Sequence, residues 1–117
     1  MYGFTTPSLW TVPPGKELSA VTVAVNMFTL QFDAGLKISV LSEVFVSSPG
    51  RAESSAKAGS SEIQALLELV GDSVLDVLVQ GESLLTFVME RGGRIMFRDE
   101  PEYESYVFYV EGEEIYI

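Results

Sequence analysis

Apolar and polar side chains alternate along Phe28-Thr29-Leu30-Gln31-Phe32, with Val21 to Val25 ahead of it and Asp33-Ala34-Gly35 behind. A two-residue period of this kind predicts strands that each turn one face to a core, here separated by tight reversals. Leu36 to Val46 is longer and more continuously apolar, interrupted by Lys37, Ser39 and Glu43. It reads as a central strand with a bulge at Ser42-Glu43. Further on, Ser61-x-x-Gln64 has the spacing of a capping box, and Ile63, Leu66, Leu67 and Val70 recur at i, i+3, i+4 and i+7 before Gly71. That period predicts a helix over 61–70, laid by one apolar stripe on a sheet with Glu62 and Glu68 toward water.

The strand pattern occurs twice. Val23-Ala24-Val25 through Leu30-Gln31-Phe32, Gly35 and Lys37-Ile38-Ser39-Val40 is echoed by Val77-Leu78-Val79 through Leu85-Thr86-Phe87, Gly92 and Arg94-Ile95-Met96-Phe97. Each copy reads as strand, turn, strand, glycine turn, strand, at an offset of about 54 to 57 residues. The second copy runs Val74 to Val79, Leu84 to Met89 and Arg94 to Phe97, with Gly81 and Gly92-Gly93 at its reversals. Tyr106 to Val110, a Gly112 turn and Ile115-Tyr116-Ile117 then predict a closing hairpin. Its last strand is expected to be paired, because a bare apolar edge invites aggregation. Residues 47–60 are small and polar and predict a flexible surface loop, lacking the apolar side chains that would offset ordering entropy. Pro7, Pro13, Pro14 and Gly15 make residues 1–19 an irregular arm that lays Phe4, Leu9 and Trp10 over the core.

The organisation expected is therefore one domain: arm 1–19, first meander 20–46, loop 47–60, helix 61–70, and a second meander with its hairpin over 74–117. Its class is α+β, two repeated antiparallel β-meanders forming a curved sheet or a small barrel-like pair of sheets, with the helix crossing between the copies.

Charge narrows the function. Seventeen acidic residues against seven basic ones leave a formal net charge of −10, which repels phosphate backbones and draws cationic surfaces. Direct nucleic-acid binding is disfavoured and a basic protein partner is favoured. The chain has neither His nor Cys, so Ser-His-Asp, Cys-His and HExxH chemistries, thiolate metal sites and disulfides are all excluded. No apolar run approaches the ~20 residues of a membrane-spanning helix. Met1 to Pro7 has neither a basic n-region nor an apolar h-region, and a cytoplasmic location is expected. Gly92-Gly93 sits in a strand reversal and no GxxxxGK[ST] occurs, so no nucleotide cradle or other cofactor is expected.

The densest candidate site is Asp99, Glu100, Glu102, Tyr103 and Glu104, with Tyr106 beside them. Carboxylates there would focus negative potential, and the two phenols would give a partner large contact area at small entropic cost. Pro101 interrupts the run and departs from the oxygen-ligand spacing of a Ca²⁺ loop, so no metal is expected. Arg91, Arg94 and Arg98 lie close enough in sequence to pair with this run and steady it. With seventeen carboxylates, some pair falls at the separation of a glycosidase acid and base by chance, and no feature singles one out. No enzymatic activity is expected.

Leu66-Leu67-Glu68-Leu69-Val70-Gly71-Asp72-Ser73-Val74, Leu84-Leu85-Thr86-Phe87, Gly93-Arg94-Ile95 and Tyr103-Glu104-Ser105-Tyr106 together resemble a family of small bacterial proteins of unknown function. That family is patterned hxxLhGxxVxxhxh, turn, LxLxFxxGxxLxV and YESW, with h apolar, and Tyr106 stands where its Trp usually does. Comparable small acidic proteins include immunity proteins that neutralise polymorphic toxins. The resemblance thus implies an immunity or inhibitor protein holding an acidic surface against a basic toxin or effector. A nucleic-acid-mimicking inhibitor of the phage type and a small-molecule-binding domain with a cavity inside the sheet are the alternatives.

Overall fold

The computed structural model describes residues 16–33, 36–50, 52–58, 60–80, 84–98, 106–110 and 113–116. Alternation becomes geometry most directly in β2 (Phe28–Phe32), where Phe28, Leu30 and Phe32 are buried and Gln31 is exposed. β1 (Leu18–Val23) and β3 (Lys37–Val40) flank it antiparallel, with Val21 opposite Leu30 and Leu30 opposite Ile38. The chain then passes through β4 (Glu43–Ser47), β5 (Ser54–Lys57) and the helix α1 (Ile63–Leu67). A second meander follows as β6 (Val74–Gln80), β7 (Leu84–Met89) and β8 (Arg94–Arg98), and β9 (Tyr106–Val110) and β10 (Glu113–Tyr116) close the chain.

The strands form two separate antiparallel sheets, ordered β1-β2-β3-β9-β10 and β5-β4-β8-β7-β6. Among the described residues neither sheet closes into a barrel, and no single curved sheet contains all the strands. Each sheet is a meander extended by a hairpin from the other half of the sequence: β9 adds to β3 with Tyr106 opposite Val40, and β4 adds to β8 with Val46 opposite Ile95. Backbone details recur between them. β1 slips register between Leu18 and Ala20, and β6 slips between Val74 and Asp76. The two meanders meet where Glu17 bridges Ser73: there Leu18 N donates to Asp72 O at 2.9 Å and Val74 N donates to Lys16 O at 2.8 Å.

A single core fills the space between the sheets. Leu30, Ile38 and Val40 line one wall, Val46, Leu85 and Ile95 the other, within one cluster of buried residues. Phe32, Phe87, Phe97 and Tyr106 cross it edge to face, with successive centroids 5.5, 5.1 and 5.4 Å apart. This is the arrangement that the ring quadrupoles favour.

Three expectations are corrected. Leu36 to Val46 is not one bulged strand: it breaks at Leu41-Ser42, leaving β3 in one sheet and β4 in the other. Because Ile38, Val40, Val44 and Val46 are all buried, the bend carries one inward set from one wall of the core to the facing wall. Residues 47–60 are not wholly loop, since Ser54–Lys57 pairs with β4 and places Ala56 opposite Val44 in the core. Backbone pairing orders this segment, and a methyl group suffices to fill the narrow space there. The helix is shorter than 61–70: its last α-type bond is Glu68 N to Gln64 O, after which Leu69 and Val70 close tighter turns onto Leu66 and Leu67. That tightening buries Leu69 and leaves Leu67 and Val70 outside. No side-chain cap forms at its start, and Ser61 Oγ instead donates to the Glu62 carboxylate at 3.2 Å.

Other expectations hold. Glu62 and Glu68 are exposed, the final strand is paired, and Gly92 makes its reversal at φ 96° with Pro49 Cγ 2.9 Å from where a Cβ would lie. Gly35, Gly81, Gly112 and residues 1–15 of the arm lie outside the described residues; the end of the span expected to be irregular, 1–19, is instead paired, with Glu17 in a bridge and β1 starting at Leu18.

Candidate functional site

Asp99, Glu100, Glu102, Tyr103 and Glu104 lie outside the described residues, and the structure places the two strands between which they run. β8 delivers Arg98 at one end and β9 delivers Tyr106 at the other. Arg98 N donates to Tyr106 Oη at 2.9 Å, and that hydroxyl donates in turn to Glu43 O at 2.9 Å. The base of the acidic segment is therefore fastened across both sheets.

Tyr106 corrects the sequence reading. Expected as an aromatic handle for a partner, its side chain is 1% exposed, packed edge to face on Phe97 with its hydroxyl engaged by two backbone groups. Its parity follows from the pairing with Val40: a residue opposite an inward-facing valine shares its face. A ring so placed offers no contact surface.

The outward face beside the segment is built from β4, β5 and β8. Arg98, expected to pair with the acidic run, lies over the Phe45 ring at 3.9 Å from its centroid and meets Glu53 Oε1 at 3.4 Å. Lys57 Nζ is 3.7 Å from Glu43 Oε2, and that carboxylate also accepts the Ser55 hydroxyl. Cross-strand register brings these groups together, with Glu43 opposite Lys57 and Phe45 opposite both Ser55 and Met96. Ion pairs this exposed contribute little stability. Stacking on Phe45 does more to fix the Arg98 side chain, through the attraction of a cation to a ring face.

Sequence reasoning missed Asp72. It is 3% exposed, and its carboxylate accepts Ser73 N at 2.8 Å and Arg91 N at 3.2 Å. These contacts tie the crossing of the meanders to the turn before β8, so the group is structural. Gly71 at φ 94° ahead of it was the available signal, since a left-handed glycine followed by Asp and Ser marks a turn closed by a side chain. Glu17, Asp33, Glu53, Glu62, Glu68, Asp76 and Glu90 are all exposed. Among the described residues no three acidic side chains gather into a set able to hold a metal ion, and no helix is long and apolar enough to cross a membrane. Comparison of the chain with models of protein families, with curated proteins and with solved structures gives no match to any of them.

Proposed function

We propose that the protein is a non-enzymatic binding module of the immunity or inhibitor kind, whose halves arose by duplication and whose segment Asp99 to Glu104 docks on a basic face of a toxin or effector. The formal net charge of −10 carries this reading. It is supported by the engagement of Arg98 with Phe45 and Glu53, and of Lys57 with Glu43, which directs two nearby cations toward β4 and β5. Steering by such a field raises association rates and is screened by salt. The test is capture from the native host on immobilised protein, followed by titration of the captured partner between about 50 and 500 mM salt. Glu100→Gln, Glu102→Gln and Glu104→Gln combined should weaken binding and flatten its salt dependence. Affinity unchanged by that triple variant and by salt would end the reading.

One observation favours a second reading, an inhibitor that imitates nucleic acid. Exposed carboxylates are spread over strand ends, turns and helix caps, at Asp33 after β2, Glu62 and Glu68 at the ends of α1, Asp76 in β6 and Glu90 after β7. For such a protein the combined Glu62→Gln, Asp76→Asn and Glu90→Gln variant would weaken binding at least as much as changes in 100–104, and the captured partner would itself bind DNA or RNA.

A further inference from the structure

We propose that the outward face of the second sheet is a self-association surface, on which a second copy of the chain packs face to face across a two-fold axis. Register defines the face. Leu78 lies opposite Thr86, Thr86 opposite Met96 and Met96 opposite Phe45, so these four side chains form one row across β6, β7, β8 and β4. The row alternates with Phe87, Ile95 and Val46 of the core and therefore points away from it. Leu84 and Val88, two positions either side of Thr86, share that side. Leu78 is 36% exposed, and Leu84, Val88, Met96 and Phe45 are half-buried.

The first sheet demonstrates that the fold does not require apolar side chains there. Matching Val77 opposite Phe87 to Val21 opposite Leu30 sets Leu78, Val88 and Met96 in the places of Thr22, Gln31 and Ser39. Thr29 Oγ1 and Ser39 Oγ form a hydrogen bond at 3.1 Å, whereas Thr86 has Met96 in that position. One sheet turns a polar row outward and the other an apolar one. A contiguous apolar face of this kind marks a contact surface. Its composition agrees, since Phe45, Met96 and the arginines at 94 and 98 are of the types enriched where proteins meet.

Charge selects the occupant. The outward positions of this sheet carry Lys57, Arg94 and Arg98 against Glu43 and Asp76, a net of +1 in a chain whose total is −10. Lys57 already meets Glu43 at 3.7 Å, and Arg98 meets Glu53 at 3.4 Å. So balanced a face has little field with which to draw a strongly charged partner of either sign. Two copies, repelled through their acidic surfaces, meet here without opposing rows of carboxylates. Five strands spaced about 4.8 Å apart, with about five residues in each, give roughly 400 Å² in each copy. That is at the small end of specific interfaces, so the association is weak and reversible, and two-fold packing stops it at two copies.

Sedimentation equilibrium of the full chain from about 10 µM to about 1 mM tests this directly. The expected result is a monomer–dimer equilibrium, with the dimer several-fold more favoured at about 500 mM than at about 50 mM salt. Screening weakens the repulsion between two copies at −10 and leaves an apolar contact intact. Leu78→Thr, Val88→Gln and Met96→Ser combined, which copy the first sheet, should keep a cooperative thermal melt and leave the chain monomeric throughout. Leu78→Lys alone, at an exposed position, should weaken the dimer several-fold. A wild-type chain still monomeric at about 1 mM in both salts would overturn the proposal. So would a dimer that survives Leu78→Lys, a dimer that salt dissociates, or a mass that climbs past two copies, because the contact would then lie elsewhere, rest on ion pairs or run head to tail.

Discussion

The hydroxyl of Tyr106 joins two strands to which the residue does not belong. It accepts from Arg98 N on β8 and donates to Glu43 O on β4, while its ring packs on Phe97. Removing only the oxygen separates the polar role from the packing role. Tyr106→Phe keeps the ring and strips two backbone groups of that partner, and an unsatisfied buried polar group costs about 1–3 kcal/mol. Urea denaturation should therefore show a lower midpoint at unchanged slope. A loss below about 0.3 kcal/mol would mean that the two backbone groups find other partners on their own. Nothing local in the sequence separates this Tyr from a partner-facing one. Its orientation depends on which residue of β3 it meets, and that pairing spans more than sixty positions of the chain.

At the scale of elements, β5 shows what side-chain pattern alone leaves out. Ser54, Ser55, Ala56 and Lys57 have no apolar alternation, yet they pair with β4 and Ala56 is 0% exposed. Ala56→Asp would place a carboxylate in the core, at a cost of several kcal/mol. The variant is expected to lose its cooperative thermal transition or to melt far below wild type, whereas Lys57→Ser on the open face should change the midpoint little. Equal tolerance of both changes would return 47–60 to the status of a loop. β2 and β7 were legible because large alternating side chains carry their burial. The helix was legible in place but not in register, since its stripe was counted at α-helical period and the backbone tightens after Leu67. The acidic segment was legible as charge. Its setting was not, because that depends on β8 and β9 lying in different sheets.

Across the whole molecule, the exchange of hairpins sets how the protein unfolds. Each sheet draws strands from both halves, through the seams where Val40 faces Tyr106 and Val46 faces Ile95. Unfolding the first half alone would strip β4 and β5 from the second sheet, and the reverse event would strip β9 and β10 from the first. The single buried cluster would be opened either way. A half-folded state therefore exposes most of the core and keeps little of the pairing, which leaves it sparsely populated. Native-state amide exchange in rising urea tests this directly. The amides of Leu30 in β2 and Phe87 in β7, at matching places in the two meanders, should converge on one opening free energy, within about 0.5 kcal/mol of each other and of the global value. Were Phe87 to stay protected at urea concentrations where Leu30 has exchanged, the halves would open separately, and the seams at Val40 and Val46 would be weaker than the meanders they join.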